Sequence, residues 1–308
     1  MKNPILKKGS KIGIIAPAGR IFEHELDFAK DWAKKQGWTL EIPKDLFTEF
    51  NLGYWYAGDT QQRLKITQEA LDNPDLDAIW CARGGYGSVK IIDDLDFSTF
   101  LNNPKWLIGY SDITVFHNYL NNKNIPTLHA VTAKPLNTKY TEESYTSLIK
   151  VLKGESLSYT LPNHSLNIKG KAKGILMGGN LSIIYSQLGS CTALQSEEII
   201  LFIEDWYENW YHVDRMLEAL KRSGLFRKVE GIIVGSFTKM DVEEENPDFN
   251  LNYDPTANQV ILEQVKDLNI PVVFNFPAGH TGDNRALIMG SKVELSVNDD
   301  KTDLSFYI

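Results

Sequence analysis

Through its first half the chain repeats one pattern: a short apolar run closed by a glycine turn, then a segment with apolar residues at helical spacing. KIGIIAPAG (11–19) is a strand ending in a Pro/Gly loop. EHELDFAKDWAKKQG (23–37) sets Leu26, Ala29, Trp32 and Ala33 on one helical face and stops at Gly37, as a C-terminal glycine does. WTLEIP (38–43) is a second strand. DTQQRLKITQEALDN (59–73) begins with an Asp/Thr cap and carries Leu64, Thr67, Gln68 and Leu71 at helical spacing. DAIWCARGGYG (77–87) is a third strand running into a glycine turn, SVKIIDDL (88–95) a short helix, KWLIGYS (105–111) a fourth strand, and DITVFHNYLNN (112–122) the helix after it. Continuous apolar strands alternating with amphipathic helices require both faces of a sheet to be covered. The expectation is an α/β fold whose N-terminal part is a doubly wound parallel sheet.

From about Thr141 the character changes. TEESYTSLIKVLKG (141–154) is a last helix, and ESLSYTLPNHSLNIKGKAKG (155–174) is a polar connection with short strands. The remainder mixes strands (EIILFIED, VEGIIVGSF, PVVFNFP) with helices and closes on a hairpin, KVELSVNDDKTDLSFYI (292–308), around an Asn-Asp-Asp turn. MDVEEENPDFN (240–250) reads as a surface loop. These shifts divide the chain into an N-terminal domain over 1–140, a connecting segment over 141–170, and a smaller C-terminal α+β domain over 171–308.

Composition removes several function classes. A 308-residue chain with 43% hydrophobic and 23% charged residues can build a large core. Its formal net charge of −8 disfavours binding to phosphate backbones, so no nucleic-acid partner is expected. Cys81 and Cys191 have no CxxC spacing, HExxH is absent, and His280 with Asp283 is a poor ligand set, so no metal or other cofactor is expected. The apolar part of the N-terminus, Ile12 to Ala16, is too short for a secretory signal, and no run reaches membrane-spanning length. A soluble, cytoplasmic protein with no membrane partner is expected.

Ligands of doubly wound sheets bind beyond the carboxyl ends of the strands. Two glycine-marked turns lie there, Arg83-Gly84-Gly85-Tyr86-Gly87 and Gly109-Tyr110-Ser111-Asp112. The first fits neither a phosphate-binding GxxxxGK[ST] nor GxGxxG, and it can be a plain tight turn or a source of N–H groups for an oxyanion. In the second, Ser111 or Asp112 caps the following helix, or Ser111 is a nucleophile on a strand-to-helix corner. A nucleophilic serine needs a base and an orienting acid. His280 lies in PAGHTGDN after a strand, and Glu204 and Asp205 stand where the five-residue apolar run IILFI (199–203) ends, each with an ordinary structural alternative. The order Ser111, Glu204, His280 is that of α/β-hydrolases, although GYSDI is not GxSxG.

Taken together, IGIIAPAG, GYWYAGDTQQRLKITQEALDNPDLDAIWCARGGYGSVKIIDDLDF, LIGYSDIT, GILMGGNLSII, LFIEDWYENWYHVDRML and FPAGHTGD resemble the LD-carboxypeptidases and microcin C immunity peptidases, over nearly the whole chain. The resemblance implies an N-terminal domain like that of class I glutamine amidotransferases, a smaller C-terminal domain, and an active site between them. It implies Ser111 as nucleophile, Glu204 as acid, His280 as base, and the backbone N–H groups of Gly85 and Asp112 as oxyanion hole. It implies release of the terminal D-alanine from cytoplasmic murein tetrapeptides in cell-wall recycling. Cleavage of toxic peptidyl or aminoacyl nucleotides is the alternative activity, and a non-catalytic muropeptide-binding protein the alternative class. Arg83, Asn180 and Trp206 are candidate substrate contacts, with Tyr207 and Trp210 beside the last. Homodimers are common in the family. Where members often carry His-Gly-Pro, this chain has His129-Ala130-Val131.

Overall fold

In a computed structural model, the structure describes residues 4–135, 140–241 and 252–307. The first half supplies strands β1 (Lys11–Ile15), β2 (Thr39–Glu41), β3 (Glu49–Asn51), β4 (Trp55–Ala57), β5 (Ala78–Cys81), β6 (Trp106–Gly109) and β7 (Thr127–His129). Its helices are α1 (Asp27–Gln36), α2 (Thr60–Asp72), α3 (Ser98–Asn102), α4 (Thr114–Asn121) and α5 (Glu142–Leu152). The second half supplies β8 (Ser158–Pro162), β9 (Gly170–Asn180), β10 (Ile199–Trp206), β11 (Val229–Thr238), β12 (Val272–Val273), β13 (Leu287–Met289), β14 (Lys292–Val297) and β15 (Lys301–Tyr307), with helices α6 (Leu181–Ser186), α7 (Trp210–Arg222) and α8 (Pro255–Val265).

Two α/β sheets result. The first has the order β13-β7-β6-β5-β1-β2 and is parallel except at β13, a strand that the second half contributes antiparallel to β7. The second has the order β12-β11-β10-β9-β14-β15-β8, its first four strands parallel and the rest antiparallel. With seven strands against six, the second sheet is the larger. One apolar core runs from Ile12, Ile14 and Trp80 of the first sheet to Phe202 and Leu295 of the second and Phe276 just beyond β12; a separate one packs α7 and α8 on β10 and β11.

Most of the local reading holds. Gly37 ends α1 in the left-handed conformation at φ 77, and Asp59 caps α2, accepting from the Gln62 N–H. The buried face of α2 differs from the spacing reading: it is Arg63, Ile66, Thr67, Ala70 and Leu71. Arg63 turns inward because its Nη1 donates to the Gly58 carbonyl at 2.7 Å, its Nε to that of Pro17 at 3.1 Å, and its guanidinium lies over the Tyr56 ring. SVKIIDDL forms two short 3₁₀ turns, Ser88–Lys90 and Ile92–Asp94. Most of the acidic loop at 240–250 lies outside the described residues. Among the described residues no helix is long and apolar enough to cross a membrane.

Candidate active site

The carboxyl ends of the parallel strands in the two sheets face each other across a cleft of about 440 Å³. Ser111 stands at the end of β6, the Arg83–Gly87 turn at the end of β5, Asn180 at the end of β9, and Glu204, Asp205 and Trp206 at the end of β10. His280 reaches in from the loop after β12.

Ser111 does not cap its helix, and neither does Asp112: no side-chain cap bond forms at the start of the 3₁₀ turn Ser111–Ile113 or of α4. Ser111 instead adopts φ 66, a left-handed conformation costly for a residue with a β-carbon. Such strain persists only where the surroundings enforce it, and here it turns the hydroxyl out of the helix toward His280.

His280 Nε2 lies 3.2 Å from Ser111 Oγ, and its Nδ1 lies 2.7 Å from Glu204 Oε2. Glu204 is fully buried and also accepts the His280 main-chain N–H at 3.2 Å. A carboxylate can only accept, so the proton sits on Nδ1 and Nε2 is left to take one from Ser111. The imidazole is clamped on its other sides. Trp206 stacks on it, 5.5 Å between centroids and 7° from parallel, and Tyr110 packs edge-on at 4.9 Å. Thr238 Oγ1 donates to the His280 carbonyl, and Gly279 approaches so closely that a β-carbon there would stand 2.7 Å from Glu204 Oε2.

Asp205 follows Glu204 directly, and both are buried because β10 is covered on both faces from Ile199 to Asp205; the pairing of β10 with β11 slips between Ile203 and Asp205. Its carboxylate accepts from Asn180 Nδ2 (2.9 Å), the Ser182 N–H (2.8 Å) and the Trp206 N–H (2.8 Å). Burial and the neighbouring Glu204 charge nevertheless raise its pKa to about 7. Asn180 Oδ1 caps α6, accepting from Ser182 Oγ and the Ile183 N–H, while its own N–H donates to Thr114 Oγ1 on α4. The two sheets are thus joined at the first residue of the helix behind Ser111.

Arg83 lines the cleft and gives one Nη1 N–H to the Arg20 carbonyl. Trp206 lines it as well; Tyr207 is exposed beside it, and Trp210 turns away to donate to Asp254. Sequence reasoning missed Tyr54, Tyr110, Thr132 and Lys134 as lining residues. Tyr110 was within reach, lying next to Ser111. Tyr54 was not, since its hydroxyl meets Gly85 only through the β3–β4 hairpin. His129 is fully buried against Phe202 and Tyr110 and does not line the cleft. Among the described residues no group of three or more His, Cys, Asp or Glu could hold a metal ion.

A serine hydroxyl, an imidazole and a buried carboxylate in series, in a cleft lined also by Gly84 and Gly85, are equipped for acyl transfer through a covalent serine ester. Residues 12–130 match the model of the LD-carboxypeptidase N-terminal domain, and residues 173–295 that of the LD-carboxypeptidase C-terminal domain. A Bacillus subtilis (strain 168) protein named "Probable murein peptide carboxypeptidase" is 31% identical over 96% of this chain and 91% of its own. The crystal structure of a muramoyltetrapeptide carboxypeptidase from Oxalobacter formigenes superposes with a TM-score of 0.85 at 26% identity, covering 97% of this chain and 99% of that one. The microcin C7 self-immunity protein MccF shares the fold, with a TM-score of 0.83 at 24% identity over 98% of this chain and 97% of its own. The chain belongs to the LD-carboxypeptidase family.

Proposed function

We propose that this protein is a serine LD-carboxypeptidase that releases the terminal D-alanine of murein tetrapeptides. The observation that carries the reading is the hydrogen-bonded series Ser111–His280–Glu204 at the head of the cleft, in a chain of this family. Ser111 Oγ attacks the carbonyl of the L-residue while His280 Nε2 takes its proton. The oxyanion forms against the N–H groups of Gly85 and Asp112. His280 then returns the proton to the leaving amine, freeing D-alanine and leaving an acyl ester on Ser111. Water, deprotonated by His280, attacks that ester; the acyl–Oγ bond breaks, His280 returns the proton to Ser111 Oγ, and the shortened peptide leaves as its carboxylate. Glu204 holds the tautomer and stabilises the imidazolium. No step calls for a metal.

Arg83 supplies charge for the terminal carboxylate and Trp206 an apolar wall; Asn180, its amide engaged by Asp205 and α6, shapes the same wall. On this reading residues 1–140 are the nucleophile domain, 141–170 the connection and 171–308 the domain carrying acid and base. The protein works in the cytoplasm in cell-wall recycling, as a homodimer. Purified protein should release D-alanine from a murein tetrapeptide, and Ser111→Ala, at equal folded concentration, should lose on the order of 10⁴-fold or more. Retention of more than about a tenth of the activity would remove Ser111 from the mechanism. Faster cleavage of an aminoacyl-nucleotide analogue than of the tetrapeptide would favour the immunity activity.

A further inference from the structure

Asp112 follows the nucleophile, and its side chain points away from the cleft. The carboxylate is buried, and Oδ2 accepts the main-chain N–H of Ser88 at 2.8 Å. Ser88 closes the turn that carries Gly85. At the other end of that turn the Ala82 N–H is held by the Ile15 carbonyl at 2.7 Å, and the Gly84 carbonyl accepts from the Gly19 N–H at 3.1 Å. Between these anchors Gly85 and Gly87 sit at φ 112 and 144, a backbone region open to glycine, and the Tyr54 hydroxyl packs against Gly85. The direction of the Gly85 N–H is therefore set by that packing and by how firmly the ends of the turn are held.

We propose that the Asp112 carboxylate is the positioning group of the oxyanion hole: it ties the turn bearing Gly85 to the same residue whose own N–H is the second donor. This rests on the serine-ester reading above. One residue then fixes the spacing of the two donors. A pre-set pair of N–H groups stabilises the tetrahedral state much more than the planar substrate. A carboxylate suits the task because a charged acceptor holds an N–H about twice as strongly as a neutral one. Burial opposes the charge and raises the Asp112 pKa to about 6, against the pull of Ser88 and the more distant Arg63.

The test compares wild type, Asp112→Asn and Asp112→Glu, the last keeping the charge but lengthening the link. Three quantities are measured: kcat, KM, and affinity for a peptide aldehyde that forms a tetrahedral adduct on Ser111. Removing one oxyanion donor outright costs about 10²–10³ in kcat. A loosened donor should cost about 10–100-fold in kcat and in aldehyde affinity, with KM within about threefold. An unchanged kcat, a loss confined to KM, or equal aldehyde affinity in folded variants would overturn the proposal. So would failure of both variants to fold, since the link would then be a requirement of the fold. Failure of the wild type itself to form an aldehyde adduct would instead sink the serine-ester reading.

Discussion

Ser111 occupies the space that a side chain on Gly84 would need: a β-carbon there would stand 2.8 Å from Ser111 Cβ and 3.0 Å from its Oγ. The Ser111 β-carbon sits on a left-handed backbone and is no flexible chain end that could swing aside. Gly84→Ala should therefore move the nucleophile relative to His280. Misplacement by about 1 Å costs about a hundredfold in rate, while overpacking of this kind costs about 1–3 kcal/mol in stability. The expected outcome is a kcat loss near a hundredfold in a protein that still unfolds cooperatively. Wild-type kcat in Gly84→Ala would mean that the turn gives way without disturbing Ser111.

Glu204 and Asp205 are neighbours with separate tasks. Glu204→Gln keeps the shape but can donate to His280 Nδ1 and so stabilise the wrong tautomer. Such an exchange has cost up to about 10⁴ in kcat in a serine protease triad. Asp205→Asn sets an amide NH₂ among N–H donors from Asn180, Ser182 and Trp206, and an unmatched buried polar group costs about 1–3 kcal/mol. Thermal melting and kcat of both variants should separate them, Glu204→Gln losing rate and Asp205→Asn losing chiefly melting temperature. The reverse pattern would assign the orienting acid to Asp205.

Asp205 also makes stability depend on pH. Its folded pKa, about 7, lies above the value near 4 of an unfolded aspartate. Between those values the folded protein holds a proton that the unfolded chain has lost, so this group's contribution falls as pH rises from about 4 to about 7. Asp112, raised to about 6, acts in the same direction over a narrower range. Urea unfolding of wild type and Asp205→Asn at several pH values should give a flatter curve for the variant in that window, whatever its offset. Parallel curves would show that Asp205 is ionised throughout.

Much of this is legible in the sequence because the strands are apolar throughout and give way abruptly to glycine turns or acids. Those breaks mark Ser111 and Glu204 as strand-end residues and His280 as a loop residue just beyond a strand. Other parts lie beyond a local reading. The crossing of β13 into the first sheet depends on contacts far apart in the chain, and a three-residue LIM segment carries no mark of which sheet it joins. Arg63 faces the core because two carbonyls and a tyrosine ring meet it there, which helical spacing cannot encode. The bonds from Asp205 to the α6 turn and from Asp112 to Ser88 likewise join residues that only the fold makes adjacent.

On the proposed function, the cleft positions an L-residue's carbonyl for attack by Ser111 while gripping the carboxylate of a following D-residue. Inverting that last α-carbon exchanges the methyl and the carboxylate, so the charge can be held only by displacing the reacting carbonyl, at a cost of about a hundredfold per ångström. The most direct measurement is kcat/KM for a tetrapeptide ending in L-residue–D-alanine and for its L-alanine diastereomer, with one enzyme preparation. The first should be cleaved and the second should react at least about a hundredfold more slowly. Comparable values for the two would contradict it.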